Sequence, residues 1–140
     1  MSSSEVLPRP GLGFILRRLS PGDLDDFQAC RHDEELGRYQ GWLPTPDEEA
    51  REFLVEMSLA PFPNPGHWVQ IGIAEPGSQR LIGDIGVFLS VDATCAEICF
   101  TLARSAQGRG VATAAVRAVV ELTFRSSTAE RVIGITDARN

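Results

Sequence analysis

The sequence has 140 residues, 43% of them hydrophobic and 23% charged, with a formal net charge of −6. This length and composition fit one globular domain with a buried core, and the acidic balance argues against a nucleic-acid partner, which needs a basic face. No run of 18 apolar residues offers a membrane span, and the Met1-Ser2-Ser3-Ser4-Glu5 start lacks the apolar segment of a secretory signal.

Residues 1–12 mix serine, proline and glycine with little apolar content and read as a flexible arm. Residues 14–19 form the first predicted strand. Ser20-Pro21 then supplies an N-cap and a proline at the first helical position, ahead of a helix in which Leu24, Phe27 and Cys30 recur every third residue. The segment from His32 to Leu36 adds a short further turn, and Gly41-Trp42-Leu43-Pro44 breaks the pattern. At Thr45-Pro46-Asp47-Glu48 a second helix starts, with Thr45 as cap and Glu48 completing a capping box. It runs to about Met57 with Ala50, Phe53, Leu54 and Met57 on one face. Prolines 61, 63 and 65 forbid regular structure beyond it.

Residues 67–74 alternate, with Val69, Ile71 and Ile73 in phase, and predict a strand. Pro76-Gly77-Ser78-Gln79 is a turn, and residues 81–89 return with Leu81, Ile85, Val87 and Leu89 in phase. Asp92-Ala93 is a second turn, and residues 96–102 complete an antiparallel meander. A polar, glycine-containing loop follows over residues 104–110. Residues 111–124 lack proline and glycine, carry only Arg117 and Glu121 as charges, and predict a buried helix. Residues 131–136 are a last strand. Strand, helix and strand in that order imply a crossover to a parallel neighbour.

The cysteines Cys30, Cys95 and Cys99 are odd in number and contain no CxxC pair, and only His32 and His67 are available to help them, so no metal site is expected. Cys95 and Cys99 share one strand four residues apart, too far to bond to each other. Reduced thiols in a cytoplasmic setting are the simplest account.

The informative segment is Gln107-Gly108-Arg109-Gly110-Val111-Ala112-Thr113. Its glycines allow positive φ and close backbone approach. The helix that follows leaves its first amide donors unpaired and directs the positive end of its dipole into the loop. That geometry suits a pyrophosphate, and Arg104 and Arg109 stand within reach of further phosphate oxygens. Bare glycines are a weak signal, equally compatible with a plain strand-to-helix turn. The segment lacks the GxxxxGK[ST] spacing of a P-loop and the three glycines of a dinucleotide fingerprint.

In its setting this segment resembles the pyrophosphate motif [QR]-x-x-G-x-[GA] of the GNAT superfamily of N-acetyltransferases, and the chain is similar to the RimJ/RimL type, which acetylates ribosomal-protein N-termini. The strand Ala96-Glu97-Ile98-Cys99-Phe100 before the loop and Ala112-Thr113-Ala114-Ala115-Val116 after it belong to the likeness. So do Leu16-Arg17-Arg18-Leu19, the Glu48-Glu49-Ala50-Arg51-Glu52-Phe53 helix and Leu81-Ile82-Gly83-Asp84-Ile85-Gly86. The resemblance covers residues 13–140 and implies acetyl-CoA as cosubstrate and an amine as acceptor. Phe100 and Leu102 would offer backbone groups to the pantetheine, and the amides of Gly108, Arg109, Gly110, Val111, Ala112 and Thr113 would take the pyrophosphate beside Gln107. Members of the family continue beyond the Asp137-Ala138-Arg139-Asn140 segment with a helix and two strands, which supply the proton donor to the leaving thiolate and one wall of the acceptor pocket. The sequence is therefore expected to be a shortened form, with an exposed C-terminal strand edge through which copies would associate.

Acetyl transfer needs a neutral amine. An α-amino group titrates near 7.7–8, whereas a lysine amine near 10.4 costs roughly 4–5 kcal/mol to deprotonate at neutral pH. Glu97, on the strand facing the acetyl group, is the candidate base; the alternatives are an exposed strand carboxylate or one that only orients the amine. Asp84 lies inside an apolar strand and needs a partner, which favours a structural or orienting role over that of a base. His67 reads as a surface residue at a strand start. Cys99 reads as a small core residue, because direct transfer needs no acyl-cysteine. Tyr39 and Trp42 fit either an acceptor pocket or ordinary packing.

The expected fold is α/β: a mixed, mostly antiparallel sheet with one parallel splayed pair and helices on both faces. The expected function is acetyl transfer from acetyl-CoA to a primary amine, on a protein N-terminus or a small molecule. The rival reading is a non-catalytic CoA-binding or assembly module. Neither nucleic acid nor membrane is an expected partner.

Overall fold

The computed structural model describes residues 7–37 and 44–134. Among them, six strands form one sheet in chain order: β1 (Arg9–Gly11), β2 (Phe14–Arg18), β3 (Trp68–Ala74), β4 (Leu81–Leu89), β5 (Cys95–Leu102) and β6 (Arg131–Gly134). Neighbours run antiparallel from β1 to β5, while β5 and β6 are parallel. Connection length explains the switch. Short turns join β3 to β4 and β4 to β5, whereas the chain reaches β6 through helix α4 (Val111–Ser126), the crossover a parallel pair requires. The mixed sheet read from the sequence is the observed one.

Three further helices, α1 (Leu24–Arg31), α2 (Glu34–Gly37) and α3 (Asp47–Leu59), precede the meander. The sheet carries a core on each face. On one, Val111, Ala115, Val119 and Leu122 of α4 pack against Ile71, Ile85, Val87, Ala96 and Ile98. On the other, Phe27, Ala50, Leu54 and Met57 close over Leu19 and Leu81. Alanines at 112, 114, 115 and 118 keep α4 close to the strands, and Ala115 is fully buried.

Two local expectations are corrected. Residues 9–11 belong not to an arm but to β1, which pairs with β2, and Leu7 lies in the core. Three residues are too few to show a period, and Pro8 and Pro10 mask the strand; proline is tolerated there because β1 is the outer strand among those described. Thr45 does not cap α3. The residue before the helix is Pro46, without a side-chain cap, and the Thr45 carbonyl instead accepts from Gln28 Nε2 at 2.7 Å. The same amide donates to Asp47 Oδ1 at 3.1 Å, so α1 anchors the start of α3 in place of the cap. At the first helix, Ser20 and Pro21 open a 3₁₀ turn (Pro21–Asp23) that leads into α1. The buried Asp23 there accepts a bidentate pair from Arg17, at 2.8 and 2.9 Å.

Candidate functional site

A groove of about 1070 Å³ lies beside residues 98–102 of β5, where the chain turns into α4. The described pairing of the two strands ends at Ile98 and Gly134, while β5 continues through residues 99–102. The Ala103 N–H donates to the Ile82 carbonyl at 2.8 Å. By alternation, Thr101 and Cys99 direct their backbone groups to β4, and Phe100 and Leu102 direct theirs to the groove. Both residues line it.

The far end of the groove is the first turn of α4. Gly108 and Gly110 adopt φ of +81° and +77°, and a Cβ at either would meet nothing within 4 Å. These glycines therefore serve the backbone path, not tight packing. Gly110 is the residue before the helix, and its carbonyl accepts the Ala114 N–H at 3.1 Å. The amides of Val111, Ala112 and Thr113 thus have no partner within the helix and face a groove that these residues line. The arrangement is a positively polarised anion cradle beside the end of β5.

The remaining predicted residues divide. Gln107 lines the groove, but its side chain donates from Nε2 to the Leu102 carbonyl at 2.9 Å, tying the end of β5 to the start of the loop. Arg109 is exposed on the loop and is not among the groove-lining residues. Arg104 lines the groove but is engaged by carboxylates, with Asp33 at 2.9 Å and Glu35 at 3.1 Å. It ties the α1–α2 segment to the loop that follows β5. Glu35 and Leu36 complete that wall, a contribution sequence reasoning missed because a four-residue helix has no readable face. Tyr39 and Trp42 lie outside the described residues.

The Arg104 contacts have a measurable consequence. Desolvation pushes the Asp33 carboxyl up, but the Leu36 N–H, the Arg104 guanidinium and the Glu35 N–H together outweigh it and hold the group below its ordinary value. A depressed carboxyl stabilises the fold above its unfolded value, and that contribution is lost as pH falls through the folded one. Carboxyl-carbon NMR is expected to show Asp33 titrating low in the wild type. In Arg104→Ala the midpoint should move up, because the guanidinium is one of the groups that hold it down. An unmoved midpoint would show that the guanidinium contributes nothing.

Glu97 does not line the groove. It is half-buried on the sheet face opposite α4, two residues before Cys99, which does line it. Burial, together with Asp84 and Glu97, pushes the Cys99 thiol above its ordinary value, the opposite of what a nucleophile needs. Asp84 is buried and accepts from Arg31 Nη2 at 3.0 Å and from Gln70 Nε2 at 2.9 Å, the partners its place in an apolar strand calls for. Its neighbour Gly86 leaves room for this cluster, since a Cβ there would run into the Gln70 amide and lie 2.9 Å from Cys99 Sγ. His67 is exposed at the approach to β3 and does not line the groove.

A family model described as an acetyltransferase (GNAT) domain matches residues 14–140. The chain belongs to the GNAT acetyltransferase family. Among solved structures, a GNAT-family acetyltransferase from Bacillus anthracis superposes with a TM-score of 0.74 at 16% identity, over 91% of this chain and 72% of that one. Spermidine N-acetyltransferase from Vibrio cholerae, solved with CoA and spermine, gives a TM-score of 0.67 at 19% identity, over 82% of this chain and 66% of that one, just under two thirds of its length. A GNAT-family acetyltransferase from Staphylococcus aureus gives 0.64 at 15% identity, over 91% and 90%. At these identities the likeness is one of GNAT fold. No curated protein matches the sequence. Among the described residues no group of three or more His, Cys, Asp or Glu is placed to hold a metal ion, and no helix is long and apolar enough to cross a membrane.

Proposed function

We propose that this GNAT domain, over residues 13–140, transfers an acetyl group from acetyl-CoA to a primary amine. The observation that carries the reading is the groove in which the unpaired amides of α4 meet the continuing edge of β5. The amides of residues 108–113 take the pyrophosphate. The backbone groups of Phe100 and Leu102 hold the pantetheine, and an N–H on this edge stabilises the oxyanion that forms as the amine attacks. The amine nitrogen bonds to the thioester carbonyl carbon, the carbon–sulfur bond breaks, CoA leaves as thiolate, and the amine proton passes to Glu97. The motif Gln107-Gly108-Arg109-Gly110 supports a place near the RimJ/RimL branch, three free thiols fit a reducing cytosol, and the outer edge of β6 is the surface proposed for self-association.

The test is release of CoA thiol from acetyl-CoA across a panel of amines and N-terminal peptides, with the acetylated product identified by mass. Absence of CoA binding rejects the reading, and CoA binding without transfer to any acceptor selects a non-catalytic CoA-binding module. For the base, Glu97→Gln is expected to lower turnover by about 10²- to 10⁴-fold. The loss should be greatest at low pH, where most of the amine is protonated. An unchanged pH–rate profile leaves Glu97 an orienting group at most.

A further inference from the structure

We infer that the acceptor is a primary amine carried on an apolar, preferably aromatic, body that rests on a Trp68–Phe88–Ile133 row with its ammonium at Glu97. This inference rests on the acetyl-transfer reading and names its substrate class.

The row follows from strand register. Trp68 pairs with Phe88, Phe88 with Glu97, and Glu97 with Ile133, so four side chains from four neighbouring strands project from one face. The next residues in the alternation on β4 and β5, Val87 and Ile98, are buried on the opposite side in the core with α4. The described helices cover the Glu97 face only in part. α1 reaches Asp84 through Arg31, and α3 reaches Gln70 through Met57, whose sulfur accepts the Gln70 N–H. One row further on, Trp68 remains 41% and Ile133 40% exposed, with Phe88 and Glu97 half-buried between them. The Trp68 and Phe88 rings lie 5.5 Å apart at 48°, forming one aromatic surface.

A carboxylate set in such a row is costly unless a cation joins it. Among the described residues Glu97 makes no ion pair or hydrogen bond. Arg131 stands on the same face one row further out, paired in register with Cys95, and does not reach it. The row also meets the cofactor groove. Cys99, on the same face, lines that groove and lies two residues from Glu97, about 6.6 Å of strand rise. An ammonium at Glu97 is therefore within one side-chain length of the groove, while the rest of the molecule extends over the rings. An aromatic face attracts the ammonium as well as the body. A polyamine would set its second charge on a row that, among the described residues, carries no second carboxylate.

The test is an NMR titration of the full chain with bound CoA, using 2-phenylethylamine and spermidine as probes. The aromatic amine is expected to bind at least tenfold more tightly. Trp68→Ala and Phe88→Ala should each weaken it about five- to tenfold, with CoA affinity and melting temperature unchanged, and Trp68→Phe should retain most of the binding. Equal or tighter spermidine binding, or alanine variants that bind the aromatic amine as the wild type does, would overturn the inference. So would CoA binding without binding of either amine. Loss of CoA binding with 2-phenylethylamine still held at the row would instead count against the acetyl-transfer reading and leave the row as a site. If the alanine variants melt early, Trp68→Phe against Trp68→Leu decides: aromatic preference must survive in the first and fall in the second.

Discussion

Gly110→Asp is expected to weaken acetyl-CoA binding by at least about thirtyfold, roughly 2 kcal/mol. Gly110 sits at φ +77° immediately before α4, and a side chain there enters open space. Aspartate is among the few residues that tolerate this left-handed region, so the variant should fold. What changes is charge: a carboxylate takes the position where the helix dipole and three unpaired amides favour the pyrophosphate. Gly110→Ala separates the two effects, because it adds the backbone strain of about 1 kcal/mol without the charge. Calorimetry on both variants, with melting curves as a folding control, checks the expectation. Equal affinity of a folded Gly110→Asp for acetyl-CoA would remove this loop from the cofactor site.

The second large effect concerns stability. Asp84→Ala is expected to destabilise the domain by about 3–5 kcal/mol, because it removes the buried carboxylate that Arg31 and Gln70 both engage. The Asp84 side chain is 3% and the Arg31 side chain 12% exposed, so water cannot easily replace the lost partner. Arg31 also stacks over the Phe27 ring at 4.4 Å, which ties the pair to the packing of α1. The Asp84→Leu, Arg31→Met double variant should recover much of the loss, since two charges leave together. Denaturant midpoints decide it. A loss under 1 kcal/mol for Asp84→Ala would show that the cluster contributes little to holding α1 on the sheet. A large loss in acetyl transfer at full stability would instead make Asp84 part of the acceptor site.

The meander was legible because its strands are long and alternate cleanly: Val69, Ile71 and Ile73 against Ile85 and Val87 leave no other register that buries both sets. The helix of the cofactor loop was legible because glycine, helix start and apolar run coincide within a few residues. The end of β5 and its edge residues followed from the same pattern. The turn that became α2 was read from His32 to Leu36, but four residues do not show which face meets the groove. β1 was missed because three residues are too few for a period to repeat.

The amino-acid sequence by itself determined the fold class, the parallel pair at its end, the GNAT resemblance and the glycine loop ahead of the last helix. These are local or periodic properties, set by side-chain phase and by where glycine and proline permit the chain to turn. Tertiary structure alone decided the partners of charged groups. Arg104 was read as a phosphate ligand, yet the fold brings Asp33 and Glu35 to it from about 70 positions away in sequence. Asp84 received Arg31 from α1, and Glu97 received aromatic neighbours from β3 and β4 rather than a cation. Such contacts depend on how helices lie across the sheet and on register between strands, and no window along the chain contains both partners.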